Sequence, residues 1–115
     1  MRVVIDTNVF ISSFFGGKQR QVVDYWFSGR LTLCVSGPIL REYINVLGRF
    51  QFEDDSLLLR FITAVERSSN ILFIENPEEE QWITDDPADN KFIACAIALK
   101  AGYIVSGDSY LTGRG

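Results

Sequence analysis

Short apolar runs alternate with longer amphipathic segments along the 115-residue chain. Four of the short runs are rich in β-branched and aromatic residues, and polar residues, Gly or Pro bound each of them. These features are typical of buried β-strands. The predicted strands are Val3–Ile5, Leu31–Val35, Ile71–Ile74 and Tyr103–Ser106.

The segments between these runs repeat apolar residues at helical spacing. The predicted helices cover residues 8–14, 21–27, 38–47, 54–67 and 90–100. On the third helix, Ile39, Tyr43 and Leu47 share one apolar face, and Glu42 lies at the edge of that face. We therefore expect Glu42 to be partly turned towards the core.

Strands that alternate with helices predict a parallel sheet with helices on both faces. A chain of 115 residues is long enough to bury one core. The expected fold is a single three-layer α/β/α domain over residues 1–115.

Composition excludes several classes of protein. With 47% hydrophobic residues and 11 basic against 15 acidic residues, the chain does not resemble a disordered protein. The apolar stretch Phe92–Leu99 is much shorter than the roughly 20 residues that span a membrane. The opening residues Met1–Asp6 lack the apolar region of a secretion signal, so we expect a cytoplasmic protein that does not bind membranes.

The chain contains no histidine, which excludes His-based acid–base catalysis and imidazole-bound zinc. Its two cysteines, Cys34 and Cys95, lie in apolar segments without Cys-x-x-Cys spacing. We interpret both as small buried hydrophobic residues. The remaining candidates for chemistry are carboxylates.

Four acidic residues lie near the predicted carboxyl ends of strands, where ligand sites form in open parallel sheets. Asp6 follows the first strand, Glu42 lies in the helix after the second, Asp89 precedes the last helix, and Asp108 follows the last strand. Taken singly, each Asp could cap a helix or form a turn, and Glu42 could be solvated. Together, the four side chains could meet at one edge of the sheet.

Four carboxylates brought into one cleft would repel one another unless a cation neutralised them. Ligands that offer only oxygen favour Mg²⁺ or Mn²⁺ over zinc. Both ions can activate water and bind substrate phosphate, so phosphodiester hydrolysis is the predicted chemistry.

Three segments of the sequence resemble the motifs of PIN domains, and of the PIN-family toxins of toxin–antitoxin systems in particular. They are residues 3–9 (VVIDTNV), residues 86–92 (DPADNKF) with Ala94 and Ala96, and residues 103–108 (YIVSGD). The resemblance extends over most of the chain. It implies a metal-dependent ribonuclease that cleaves RNA endonucleolytically and is controlled by a cognate antitoxin.

The same resemblance implies roles for individual residues. Asp6, Glu42, Asp89 and Asp108 would hold one or two Mg²⁺ or Mn²⁺ ions. Asn8 and Ser106 would orient ligands or the scissile phosphate, while Asp86 would serve as a helix cap.

The sequence departs from the family pattern in two respects. PIN domains of this type continue from the Gly-Asp motif into a fifth strand, so we expect the usual last strand to be missing and the chain to be truncated at its C-terminus. An unpaired sheet edge would then favour a homodimer.

The net charge of −4 is also unusual for a nucleic-acid-binding protein. The residues that could form a local basic rim, or could simply be solvated, are Lys18, Arg20, Arg41, Arg49 and Lys91.

Two alternatives remain open. A haloacid dehalogenase-type phosphatase also begins with a strand that ends in Asp, but it needs a second Asp where this chain has Asn8. A non-catalytic PIN-like domain could bind RNA or protein, although clustered acids would not help a surface that only binds phosphate.

Overall fold

The computed structural model describes residues 1–16, 18, 20–50, 55–67, 69–78 and 90–106, together with the backbone of residues 110–112. Over these residues the chain forms five strands and five helices. The strands are β1 (Arg2–Ile5), β2 (Thr32–Ser36), β3 (Ile71–Ile74), β4 (Tyr103–Val105) and β5 (Tyr110–Thr112). The helices are α1 (Thr7–Ser13), α2 (Arg20–Phe27), α3 (Gly37–Leu47), α4 (Ser56–Arg67) and α5 (Asn90–Leu99).

The strands form one sheet in the order β3-β2-β1-β4-β5. Strands β1 to β4 run parallel, with Val3 opposite both Leu33 and Tyr103. Strand β1 is central and its three apolar residues are buried, as expected for a strand covered on both faces. Helices cover both faces of the sheet, which confirms the predicted three-layer α/β/α fold with a central parallel sheet.

The expectation that the last strand would be missing is wrong. Residues 110–112 form β5, which pairs antiparallel with β4 so that Ile104 lies opposite Leu111. A strand of three residues is too short to show periodicity in a sequence. Its formation depends on the backbone groups of β4, which β5 satisfies at that edge.

The other predicted elements are confirmed, with small shifts at their ends. Helix α2 begins at Arg20, and α4 begins at Ser56 rather than residue 54. Helix α5 ends at Leu99 because Lys100 adopts a left-handed conformation, with φ of 57°, before Gly102 is reached. None of the described helices is both long and apolar enough to cross a membrane.

Aromatic side chains fill the core between α1, α2, α3 and α4. The rings of Phe10 and Tyr43 stack with centroids 4.0 Å apart, and Phe61 packs edge-on against Phe10. Trp26 is buried, and its indole N–H donates to the Ser69 carbonyl at 3.1 Å. A buried indole is normally found with such a partner.

Helix α3 begins where the carboxyl ends of β2 and β3 lie side by side. Ser36 caps the helix, its hydroxyl accepting from the Ile39 backbone N–H at 3.3 Å. Next to it, the Gly37 backbone N–H donates to the Glu75 carbonyl at 3.2 Å. A Cβ atom at Gly37 would lie 2.7 Å from that carbonyl oxygen, which is closer than real Cβ contacts come. Close backbone approach therefore requires glycine here.

Candidate active site

Asp6 lies at the carboxyl end of the central strand β1 and is the N-cap of α1. Its Oδ1 accepts from the backbone N–H groups of Asn8 and Val9, at 2.7 and 3.4 Å. Its own backbone N–H donates to the Val105 carbonyl at 2.9 Å, which places the end of β4 beside it. Capping therefore occupies Oδ1, while no hydrogen bond from the described residues reaches Oδ2.

Glu42 connects three helices at this edge of the sheet. From α1, the Thr7 hydroxyl donates a hydrogen bond to Oε2, and from α5 the Lys91 ammonium lies 2.9 Å from Oε1. Burial alone would raise the pKa of Glu42, but the hydrogen bonds from Thr7 and Lys91 and the positive charge of Lys91 lower it below its ordinary value. The carboxylate is thus held charged and in a defined position.

Tyr43 lies under the acidic edge and fixes α3 against β1. Its hydroxyl donates a hydrogen bond to the carbonyl of Ile5, the residue directly before Asp6. Burial raises the pKa of Tyr43 well above its ordinary value, and the negative charges of nearby groups, including Asp6 and Glu42, raise it further. Tyr43 therefore acts as a neutral donor that holds the end of β1 in place.

The structure brings together part of the predicted site. Asp6 and Glu42 are linked through Thr7, which follows Asp6 in the chain and bonds to Glu42. Ser106 follows the end of β4, next to Asp6, and is partly buried, whereas Asn8 is exposed in the first turn of α1. Asp86, Asp89 and Asp108 lie outside the described residues, so their predicted roles stay predictions.

Sequence reasoning missed three contributors to this edge. The sequence does not mark Thr7 or Tyr43 as site residues, and it indicates Lys91 only as rim or solvated charge. A tyrosine on a buried helix face was a usable signal, because a buried phenol needs a partner for its hydroxyl. No local sequence pattern predicts the contacts to Glu42, because these contacts join residues that are 35 and 49 positions apart in the chain.

Three of the five basic residues that could form a rim or be solvated instead pair with acids. Arg20 pairs with Asp24 at 3.4 Å, Arg41 with Glu75 at 2.9 Å, and Lys91 with Glu42. Each of these cations already has an acidic partner. Lys18 and Arg49 are exposed.

The donors at this edge are of the kind that a divalent cation prefers. Asp6 and Glu42 offer only oxygen, and the Lys91 ammonium shows that positive charge is already accommodated at Glu42. In the first turn of α5, Asn90 buries its Oδ1 without a hydrogen-bond partner among the described residues. Those residues do not by themselves gather three acidic or other ligating side chains around one point. The donor chemistry fits a hard cation, and completing its ligand set would fall to acids outside the described ranges.

A surface groove of about 320 Å³ among the described residues lies elsewhere. It runs between α2 and α4 near the amino end of β3, and so away from the acidic edge. Its lining residues are Trp26, Phe27, Leu59, Arg60, Thr63, Ala64, Arg67, Ser69 and Asn70. A groove by itself does not identify a functional site, and this one contains none of the predicted site residues.

The parallel sheet between two layers of helices, with Asp6 and Glu42 at the carboxyl ends of its strands, defines an α/β/α domain with an acidic sheet edge. A family model described as "PIN domain" matches residues 2–109. The chain belongs to the PIN domain family, whose members are generally nucleases, as its motifs had suggested. This membership sets aside the phosphatase alternative.

A curated relative gives the same extent of similarity. Uncharacterized protein MJ1680 of Methanocaldococcus jannaschii is 32% identical over 117 residues, which cover 96% of this chain and 73% of that protein. No solved structure matches the chain significantly.

Proposed function

We propose that this chain is a single-domain Mg²⁺- or Mn²⁺-dependent endoribonuclease that hydrolyses phosphodiester bonds of single-stranded RNA. The supporting observation is the Asp6–Thr7–Glu42 arrangement, which holds two carboxylates from different helices and strands at one edge of the sheet. In this proposal Asp89 and Asp108 complete the set, Asn8 and Ser106 orient ligands or phosphate, and Asp86 caps α5.

Different residues would bind the metal ions, orient the carboxylates and position the end of β1. Asp6 and Glu42 would bind one or two divalent ions through oxygen, with Thr7 and the α1 backbone orienting the two carboxylates. When bound, such ions supply a more acidic water and neutralise charge on the attacking and leaving oxygens. Tyr43 would keep the end of β1 fixed so that Asp6 stays in register. None of these residues needs to form a covalent bond with the substrate.

We further propose, from the toxin-like motifs, that the protein is the toxin of a toxin–antitoxin pair, inhibited by a cognate antitoxin, and that it forms a homodimer. Co-expression with the product of a neighbouring gene should yield a stable complex and suppress growth inhibition. Light scattering of the purified chain measures its oligomeric state.

The central test replaces Asp6 by Asn. Asparagine is nearly isosteric and also caps helices, so α1 should persist while one charged ligand is lost. We expect Asp6→Asn to lower the rate of RNA cleavage in Mn²⁺ by at least about 100-fold, the scale on which losing a transition-state interaction acts. Cleavage of a fluorescently labelled single-stranded RNA measures the rate, and circular dichroism checks the fold.

Asp24→Asn is the matched control, because Asp24 is an exposed acid on α2 whose recorded partner is Arg20. It should cleave at the wild-type rate. Equal cleavage by the wild type and by folded Asp6→Asn would refute the proposal.

The Lys91–Glu42 ion pair also supports a second candidate, a non-catalytic PIN-like domain that binds RNA or protein. In such a domain an internal ammonium would permanently neutralise Glu42 in place of a metal ion. Thermal unfolding separates the two proposals. A nuclease site should raise the Tm when Mn²⁺ is added, whereas a non-catalytic domain should show no such gain.

A further inference from the structure

Lys91 does not have the surroundings of an ordinary surface lysine. Its side chain is 19% exposed, its Nζ lies 5.0 Å from the centre of the Phe92 ring, and the same Nζ lies 2.9 Å from Glu42 Oε1. A lysine normally keeps its ammonium in water. Here the charged group is directed into the acidic edge of the sheet.

The position of Lys91 in its helix is electrostatically unfavourable. It is the second residue of α5, and the positive end of a helix dipole repels a cation. The Glu42 carboxylate supplies the compensating negative charge. The ion pair with Glu42 of another helix therefore stabilises the ammonium at this position, whereas the dipole of its own helix does not.

A divalent ion that approaches Glu42 would do so beside donors that already contact both of its oxygens. Thr7 donates to one carboxylate oxygen and Lys91 to the other. An ammonium and a divalent ion bound to the same small carboxylate would repel each other strongly at such short range. A metal ion that uses Glu42 must therefore displace Lys91 or bind against its charge.

We propose that Lys91 is a resident counter-cation that competes with the divalent ion for Glu42 and so sets the metal affinity of the site. The inference rests on the proposed function in taking Glu42 as a metal ligand. In the metal-free protein the ammonium neutralises Glu42, and on metal binding it gives up that carboxylate.

The test measures Mn²⁺ binding itself, by isothermal titration calorimetry of the full chain at pH 7. Lys91→Met keeps the length and apolar stem of the side chain but removes the competing charge. Its dissociation constant for Mn²⁺ should be about tenfold lower than that of the wild type, given the strength of a partly buried ion pair. Lys91→Arg, which keeps the charge, should stay near the wild-type value.

Lys100→Met is the matched control. It makes the same change of charge directly after the C-terminal end of α5, where the side chain is exposed. Its affinity for Mn²⁺ should remain within about twofold of the wild type, because a distant surface charge is screened by salt. A merely structural role for Lys91 would lower the Tm of Lys91→Met without tightening Mn²⁺ binding.

The outcomes separate this inference from the proposed nuclease activity. Tighter Mn²⁺ binding in Lys91→Met alone, in a protein that does not cleave RNA, would support the counter-cation and contradict the ribonuclease. Active cleavage with equal Mn²⁺ affinity in the wild type, Lys91→Met and Lys100→Met would overturn the counter-cation only. If none of these proteins binds Mn²⁺, both proposals fail.

Discussion

Some ionisable residues at the acidic sheet edge and in the core beneath it are kept charged, and others are kept neutral. Contacts from Thr7 and Lys91 hold Glu42 charged, while burial keeps Tyr43, Cys34 and Cys95 neutral. The difference follows from what each side chain touches: a carboxylate with two donors is stabilised as an anion, whereas a thiol in an apolar core is not. Among these four groups, only Glu42 at the sheet edge therefore carries a negative charge.

The buried thiols lead to a prediction about pH. Burial raises the pKa of Cys95 to about 12, with a smaller contribution from Cys34. Because the folded-state pKa lies above the unfolded value of 9.0, folding opposes loss of the proton. Stability from this group is complete below pH 9 and should fall by about 1.4 kcal/mol per pH unit above it.

Urea denaturation at pH 8 to 10.5 would measure this effect as a difference between the wild type and Cys95→Ala. The variant loses stability at every pH through its cavity. Its stability should nevertheless decline less steeply above pH 9. Parallel pH profiles for the two proteins would show that Cys95 does not remain a thiol in the folded protein.

At the scale of elements, the junction between β2 and α3 decides where Glu42 lies. Ser36 ends the strand and caps the helix, and Gly37 allows the chain after β3 to approach closely. The ion pair between Arg41 and Glu75 closes the same junction one helical turn later. Since Glu42 follows directly in α3, the path of this junction sets the direction from which its carboxylate reaches the sheet edge.

Gly37→Ala should therefore destabilise the protein although alanine favours helices. The new Cβ would lie 2.7 Å from the Glu75 carbonyl oxygen, so the backbone would have to move. We expect a loss of about 1–3 kcal/mol, the usual cost of forcing an extra carbon into a packed site. Gly48→Ala is the control, because its Cβ would come no closer than 3.4 Å to a neighbour. Chemical denaturation of both variants measures the loss in free energy of unfolding. Equal losses in the two variants would show that Gly37 is not required for close packing at this junction.

At the scale of the whole molecule, the net negative charge favours a mode of RNA binding in which bound metal ions contact the phosphates. The chain carries a formal net charge of −4, and Arg20, Arg41 and Lys91 pair with acids. Because these three cations already have acidic partners and the net charge is negative, we expect few direct contacts between Lys or Arg and an RNA phosphate. Divalent ions at the acidic edge would have to supply the missing positive charge.

Removal of metal should accordingly abolish RNA binding. We expect fluorescence anisotropy with an uncleavable single-stranded RNA to show binding in Mg²⁺, loss of binding in excess EDTA, and recovery when Mg²⁺ is restored. The slope of log affinity against log salt should be shallower than about −2, because fewer than about three phosphates would meet Lys or Arg. Strong, steeply salt-dependent binding in EDTA would instead indicate a basic interface.

Much of this architecture could be predicted because its causes are local. Buried runs such as Val3–Ile5 specify strands, and the repeat of apolar residues specifies α3, so the element order and the parallel sheet followed. Asp6 could be identified because a residue that ends a strand and begins a helix has a fixed place at the sheet edge. The three-residue strand β5 escaped prediction because its pairing partner, and not its own pattern, defines it.

The sequence by itself therefore determined the layers, the parallel sheet and the place of Asp6 at the carboxyl end of the first strand. Only the tertiary structure decided which groups touch Glu42, since Thr7 and Lys91 reach it from helices that the sheet brings together. Periodicity specifies which face of a helix is buried. It does not specify which side chain of a distant helix will meet a given oxygen, because that depends on how the helices pack across the sheet.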